Sequence, residues 1–216
     1  MPIRQKMPLY EYGEGGSDYG LFFVESLKSF RRTASLIPSS RFLAHELLRS
    51  VDFARVRTIV ELGPGTGAIT REILKRLPAD GRLYALDVNP NFVRHLRACH
   101  RDERLMPILG SADDLRSVLG AHGVVAVDAV ISSLGLSSME PGLRVSIVQQ
   151  AAASLDRNGV MTQYQYLRPR TNFVNLPALH FHNIAEKSLL QRFFGSVESR
   201  KVLLNIPPAV VFTCRK

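Results

Sequence analysis

The stretch from Thr58 to Gly67 reads TIVELGPGTG and joins a short apolar run to a glycine-rich turn. Its apolar part is typical of a central strand in a parallel sheet, which is buried on both faces. Three glycines follow it, namely Gly63, Gly65 and Gly67. Because glycine has no side chain, a ligand can approach the backbone closely just beyond the strand. The sequence therefore predicts a strand, a ligand-binding turn and a helix over Thr66–Leu77, whose apolar residues recur at helical spacing.

The spacing of the glycines excludes two common nucleotide-binding motifs. No Lys-Ser or Lys-Thr pair follows them, as a P-loop requires, and G-P-G-T-G-A does not meet the GxGxxG register. The string E-L-G-P-G-T-G instead resembles the first motif of the class I S-adenosylmethionine-dependent methyltransferases. This resemblance implies S-adenosylmethionine as cofactor and S-adenosylhomocysteine as product, with Glu61 facing the cofactor's ammonium group. The alternative is a purely structural turn between strand and helix.

Strand-like and helix-like segments alternate through the rest of the chain, which predicts an α/β fold. Further strands are predicted at 83–86, 104–110, 124–131, 160–167, 197–204 and 209–214. The helix after the fourth strand is expected to end at Gly159. The methyltransferase resemblance implies a Rossmann-like fold with a seven-stranded, mostly parallel sheet, its last strand antiparallel, and helices on both faces. We expect one domain, with a flexible arm over 1–18, N-terminal lid helices over 19–56 and the methyltransferase region over 57–216.

Two acidic residues stand where strands are predicted to end. Asp87 follows the second strand 20 residues beyond Gly67 and can accept both ribose hydroxyls of an adenosine, or else cap the next helix. Asp113 follows the third strand, where the resemblance implies a contact with the adenine amino group, although it could also cap a helix. The predicted cofactor-binding residues are Glu61, Gly63, Gly65, Thr66, Gly67, Asp87, Val88, Ala112, Asp113, Ser132 and Ser133.

The segment from Tyr19 to Leu36 predicts a basic amphipathic helix. Its apolar face can cover the main domain or lie in a bilayer interface beside anionic headgroups. The predicted membrane contacts are Phe22, Phe23, Leu27, Lys28, Arg31 and Arg32. A net charge of +9 favours a polyanionic partner, although it can also serve solubility alone. Neither a signal peptide nor an 18-residue apolar run is found, so a cytoplasmic protein is expected.

Residues 20 to 214 resemble the bacterial phospholipid N-methyltransferases. The more specific parts of the resemblance are the amphipathic helix and the strings PSSRFLA, QYQY and NIPPA. It implies stepwise methylation of phosphatidylethanolamine and its mono- and dimethyl derivatives towards phosphatidylcholine. A phospholipid substrate and an anionic membrane surface are the expected partners, with the protein bound peripherally to the cytoplasmic membrane. No nucleic acid and no metal are expected, and the oligomeric state stays open with a monomer favoured.

Aromatic and basic side chains provide candidates for binding the headgroup. Tyrosine rings can hold a methylated ammonium that has no hydrogen-bond donors left, and the candidates are Tyr19, Tyr164 and Tyr166. Arg168 and Arg170 can bind the lipid phosphate. The proton that the headgroup amine loses can be transferred to His180, to His182 or to water. Space-filling tyrosines and solvated arginines are the alternatives.

Two other functions remain open at this stage. The rRNA adenine dimethyltransferases share a similar first motif, but they carry an Asn-Leu-Pro-Tyr type motif after the fourth strand to hold a flipped base. Here the corresponding place reads Ser132-Ser133-Leu134-Gly135, with neither the amide nor the aromatic residue. A non-catalytic protein on the same fold is the third possibility, which the intact cofactor acids disfavour.

Overall fold

The computed structural model describes residues 39–167, 184–205 and 207–216. Tyr19, the six predicted membrane contacts, Arg168, Arg170, His180 and His182 lie outside these described residues. None of the described helices is long and apolar enough to cross a bilayer.

Seven strands form one sheet, in the order β3-β2-β1-β4-β5-β7-β6. Their bounds are β1 Thr58–Leu62, β2 Arg82–Asp87, β3 Leu105–Leu109, β4 Val127–Ser132, β5 Leu155–Tyr166, β6 Ser196–Val202 and β7 Ala209–Arg215. Strands β1 to β5 pair in parallel, and β7 pairs antiparallel with both β5 and β6. The predicted α/β sheet with an antiparallel last strand is confirmed.

In the described ranges, six α-helices cover the two faces of this sheet. They are α1 Ser39–Leu48, α2 Ala68–Leu74, α3 Pro90–Cys99, α4 Leu115–Ala121, α5 Pro141–Ser154 and α6 Ile184–Gln191. Apolar residues of α1, α2 and α3 form one buried cluster with one face of the sheet, and those of α4, α5 and α6 form a second cluster with the other. Phe42 of α1 differs from the buried leucines of this helix, because 48% of its surface is exposed.

The boundary between α5 and β5 differs from the prediction. Helix α5 ends at Ser154 rather than Gly159, because Leu155 already pairs with Val127 of β4. The pairing then shifts register before Val160, so that the polar residues between them bulge out of the ladder. A Cβ at position 159 would lie 2.8 Å from Cδ2 of Leu155 and 3.0 Å from the Asp156 carbonyl oxygen, so the close packing at this bulge favours glycine.

The direction of winding reverses at β1. Strands β2 and β3 lie on one side of it, and β4 and β5 lie on the other. Helices that leave β1 and β4 pass to opposite faces, which opens a crevice outside the carboxyl ends of these two strands. The glycine turn after β1 and the serine-rich loop after β4 both lie at this crevice.

Candidate cofactor and acceptor site

The turn after β1 is built from backbone that only glycine adopts easily. Gly63, Gly65 and Gly67 have φ angles of 70°, 55° and 80°. The Gly63 amide donates to the Leu86 carbonyl at 2.9 Å, which ties the start of the turn to β2. Gly67 is the N-cap residue of α2, so the chain enters the helix directly from this turn.

The three glycines differ in what surrounds them. A Cβ at Gly63 would lie 2.7 Å from Cδ2 of Leu134, and one at Gly67 would lie 2.7 Å from Cδ2 of Leu96 in α3. These two glycines therefore allow the protein's own side chains to pack closely. No atom of the described residues lies within 4 Å of a Cβ placed at Gly65, so this is the glycine whose missing side chain leaves open space for a ligand.

Asp87 holds the glycine turn and the start of α3 together. Its Oδ2 accepts a hydrogen bond from the Gly65 amide at 3.2 Å, and its Oδ1 accepts one from the Asn89 amide at 2.8 Å. Burial raises the pKa of this carboxyl group. The alternative that Asp87 caps α3 is wrong, because the cap is Asn89, whose side chain accepts from the Asn91 amide. Each carboxylate oxygen has a further lone pair that can accept a hydrogen bond from a ribose hydroxyl.

Glu61 is completely buried on the face of the sheet that α2 covers. The Thr70 hydroxyl donates to its Oε2 at 2.6 Å, whereas its Oε1 has no partner among the described residues. Burial raises the pKa of the Glu61 carboxyl group to about 7, against the lowering effect of the Thr70 hydrogen bond. A cationic group at the unpartnered oxygen would stabilise the ionised form, so this side chain fits the ammonium group of S-adenosylmethionine.

The loop after β3 places a second carboxyl group at the crevice. Ala112 and Asp113 begin a short 3₁₀-helix, and Oδ1 of Asp113 is buried without a partner in the described part of the chain. The N-cap of α4 is Asp114, so the alternative that Asp113 caps this helix is wrong. Val88, which follows β2, is 52% exposed and offers an apolar surface beside Asp87. The exposed Thr66 lies at the tip of the glycine turn.

The carboxyl ends of β4 and β5 bring polar side chains together that the sequence analysis had only partly identified. Ser132 is fully buried, and its hydroxyl accepts from the Leu134 amide at 3.4 Å. The Ser133 hydroxyl is buried and has no partner in the described ranges. Gln163 of β5 pairs with Ser132 and was missed as a site residue, although it lies in the QYQY string. Only the strand pairing places it beside the serine-rich loop.

Tyr164 and Tyr166 share one face of β5, as their two-residue spacing predicts. Their ring centroids are 5.3 Å apart in an edge-to-face arrangement, and their phenol groups share a hydrogen bond. Burial raises the pKa of both phenols. Both rings pack against the cluster that includes α1 and α2, whereas Gln163 lies on the opposite face of the strand. The described residues contain no group of three side chains suited to a metal ion.

Replacing Gly65 by alanine tests whether the open space beside it holds the cofactor. The added methyl group would meet no atom of residues 39–167, 184–205 or 207–216, but it would occupy the ligand's space. We expect affinity for S-adenosylhomocysteine to fall at least roughly tenfold, with about 1 kcal/mol lost in stability from the positive φ. Equilibrium dialysis and thermal unfolding measure the two effects.

Gly123→Ala is the matched control for this experiment. Gly123 also has a positive φ, of 72°, and a Cβ placed there would meet no described residue within 4 Å. It lies between α4 and β4, however, at the amino ends of the strands and away from the crevice. It should show the same loss of stability with unchanged affinity. Equal loss of affinity in both variants would mean that backbone strain alone is responsible.

The pKa of Glu61 predicts how pH affects the protein. The folded state keeps this proton up to about pH 7, whereas the unfolded chain releases it near pH 4.5, the ordinary pKa of a glutamate side chain. The contribution of Glu61 to stability should therefore fall by on the order of 3 kcal/mol as pH rises through this window, and Glu61→Gln should remove this contribution. Urea unfolding between pH 4.5 and 7.5 measures both.

Binding of the cofactor should respond to pH in the opposite direction. A cationic ammonium group requires the ionised carboxylate, so affinity should rise several-fold between pH 6 and 7.5 in the wild type. Calorimetry with S-adenosylhomocysteine should find this rise absent in Glu61→Gln and intact in Glu186→Gln. Glu186 is also buried with a raised pKa, but it belongs to α6 on the other face of the sheet. A flat wild-type profile would contradict the assignment.

Comparison with known proteins agrees with this geometry. Residues 59–159 match the family described as a methyltransferase domain. The chain is similar to an ornithine lipid N-methyltransferase of Singulisphaera acidiphila, with 29% identity over 199 residues that cover 92% of this chain and 96% of the relative. It is also similar to a ribosomal RNA small subunit methyltransferase H of Leuconostoc mesenteroides, with 33% identity over 102 residues. That match covers 45% of this chain and 32% of the relative, so the chain spans about a third of its length.

A solved structure gives the same picture of the fold. The 1,6-didemethyltoxoflavin-N1-methyltransferase of Burkholderia thailandensis, solved with S-adenosylhomocysteine bound, superposes with a TM-score of 0.68. The sequence identity is 18%, and the match covers 97% of this chain and 93% of that protein. The chain thus has the class I S-adenosylmethionine-dependent methyltransferase fold, and its residues 59–159 match the methyltransferase-domain family.

Proposed function

We propose that the protein transfers methyl groups from S-adenosylmethionine to the amine headgroup of a membrane lipid, with phosphatidylethanolamine and its mono- and dimethyl derivatives as substrates. The observation that carries the lipid assignment is the similarity to the ornithine lipid N-methyltransferase, which extends over 96% of that relative. The similarity to the ribosomal RNA methyltransferase is confined to 45% of this chain. An acceptor region shared with a lipid enzyme therefore has more support than one shared with an RNA enzyme.

The cofactor site follows from the crevice residues described above. Asp87 binds the ribose hydroxyls, Asp113 accepts from the adenine amino group, and Glu61 pairs with the ammonium group. The two unpartnered oxygens at Glu61 and Asp113 support this arrangement, because a buried acceptor without a donor is costly unless a ligand supplies one. S-adenosylmethionine supplies an electrophilic methyl group on a sulfonium sulfur.

The chemistry of the acceptor follows from its titration. An ethanolamine amine resembles the lysine ammonium, with a pKa of about 10, so it must lose a proton before it can react. Its nitrogen lone pair then forms the new N–C bond while the C–S bond breaks and its electron pair stays on sulfur. After each of the first two transfers the nitrogen returns a proton to water or to a base. The protein contributes mainly by holding the amine in line with the methyl group.

The tyrosine pair on β5 is the proposed site for the methylated headgroup. A trimethylated nitrogen has no N–H group left, and the face of an aromatic ring is then the available attraction. Tyr164 and Tyr166 lie edge to face, so the rings offer two differently oriented surfaces. Tyr19, Arg168 and Arg170 complete the proposed acceptor site, and these three lie outside the described residues.

The charge of residues 39–216 supports an anionic surface as partner. The first 38 residues hold five basic and four acidic side chains, so most of the net charge of +9 lies elsewhere in the chain. A groove of about 390 Å³ beside α2 and α3 is lined by Arg71, Lys75, Arg101 and Arg104, together with Asp102 and His100. A domain with this charge is drawn to anionic lipid independently of the proposed membrane helix.

Label transfer tests the function directly. Purified protein is incubated with methyl-labelled S-adenosylmethionine and, separately, with anionic vesicles containing phosphatidylethanolamine, vesicles containing ornithine lipid, or small-subunit ribosomal RNA. We expect label in the phosphatidylethanolamine arm, and its loss in Asp87→Asn. Label only with ornithine lipid would contradict the phosphatidylethanolamine assignment, and label only in RNA would favour the rRNA methyltransferase alternative.

Substitution of Tyr166 tests the cation-binding role. Tyr166→Leu removes the ring face, and the KM for the dimethyl lipid should rise roughly two- to thirtyfold. Tyr166→Phe keeps the face but loses the hydrogen bond with Tyr164, and it should behave nearly as the wild type. Steady-state kinetics on vesicles measure both. A larger defect in the phenylalanine variant would instead assign the role to the hydroxyl group.

A further inference from the structure

Gln163 has an unusual hydrogen-bonding state for a buried amide. Its Nε2 donates to the Leu134 carbonyl at 2.8 Å and to the Tyr164 carbonyl at 2.6 Å. The residue is 1% exposed, and its Oε1 has no partner among the described residues. Because both N–H groups are already used on carbonyl oxygens, the amide cannot be flipped without losing them. The unpartnered atom is therefore an acceptor.

The position of this acceptor links two parts of the crevice. Gln163 pairs with Ser132 at the carboxyl end of β4, and its bond to Leu134 fixes the serine-rich loop. Leu134 in turn packs against Gly63 of the glycine turn. Ser133, in the same loop, has a second buried hydroxyl without a partner in the described region. The oxygens of Gln163 and Ser133, which have no partner among the described residues, thus lie where β4 and β5 end at the cofactor crevice.

We propose that Gln163 Oε1 and Ser133 Oγ form a subsite that accepts hydrogen bonds from the N–H groups of the acceptor amine. The inference rests on the proposed function and assigns the first recognition contacts for its substrate. A buried acceptor without a donor is destabilising, and an amine that enters the subsite supplies the missing donors.

Neutral acceptors suit this reaction better than a carboxylate would. A negative charge beside the nitrogen would favour the ammonium form and hold the lone pair in an N–H bond. An amide oxygen and a hydroxyl bind the N–H groups of the neutral amine and leave its lone pair free. Ser133 and Gln163 are uncharged, whereas the buried carboxylate Glu61 faces α2 on the other side of the sheet.

The subsite also predicts a dependence on the degree of methylation. The neutral primary amine has two N–H groups, the monomethyl amine has one, and the dimethyl amine has none. Hydrogen bonding to Gln163 and Ser133 therefore supports the first transfer most and the third not at all. The fully methylated product makes no such bond and leaves the subsite for the tyrosine faces.

Single-transfer kinetics test the subsite with three vesicle preparations, which contain phosphatidylethanolamine, its monomethyl derivative or its dimethyl derivative. In Gln163→Met, kcat/KM should fall roughly two- to tenfold for the first substrate, less for the second, and stay unchanged for the third. Affinity for S-adenosylhomocysteine should stay unchanged. A role confined to supporting the loop would instead lower all three transfers equally, and that result would overturn the proposal.

Two further variants keep the result interpretable. Thr162→Val removes another buried, unpartnered hydroxyl from β5, but on the opposite face, and it should leave the ratio of the three transfers unchanged. Ser133→Ala should show the same graded loss as Gln163→Met, and it decides the matter if the methionine variant fails to fold. Absence of lipid methylation by the wild type would refute the proposed function itself, whereas an ungraded loss with an active wild type refutes only the subsite.

Discussion

The hydrogen bond from the Gly65 amide to Asp87 is the contact on which the site depends. It joins the turn after β1 to the end of β2, while the other carboxylate oxygen of Asp87 holds the start of α3. The turn can take this path because its glycines adopt positive φ angles. A single buried side chain thus fixes the shape of the crevice and remains able to accept ligand hydroxyls.

Around that contact the fold maintains several polar atoms at a cost in stability. Glu61, Asp113, Ser133 and Gln163 each have a buried oxygen without a partner among the described residues. A chain optimised for stability alone would replace such groups by apolar ones, because each unmet acceptor costs about 1–3 kcal/mol. Their grouping at the carboxyl ends of β1, β4 and β5 and in the loop after β3 is the pattern expected of a site completed by its ligands.

Strand β5 divides the proposed acceptor chemistry between its two faces. Tyr164 and Tyr166 pack with α1 and α2, and Gln163 lies on the opposite face. The two faces meet only at the carboxyl end of the strand, beside the loop after β4. An amine that gains methyl groups loses N–H donors and gains attraction to aromatic rings. Gln163 therefore offers hydrogen bonds to the less methylated substrates, and the two tyrosine rings offer contacts to the more methylated ones.

The sequence alone determined the order of the elements, the glycine turn and the acids at or just beyond the carboxyl ends of the first three strands, because these depend on local periodicity and spacing. It could not determine where α5 ends, since the bulge at Gly159 arises from the pairing of β5 with β4. It could not separate Gly65 from its neighbours either, because only packing decides that Leu134 and Leu96 occupy the space beside the other two. Gln163 was not predicted as a site residue for the same reason. Its amide donates to Leu134, which is distant in the chain, and only the tertiary structure decides which hydrogen bonds are made and which oxygen stays without a partner.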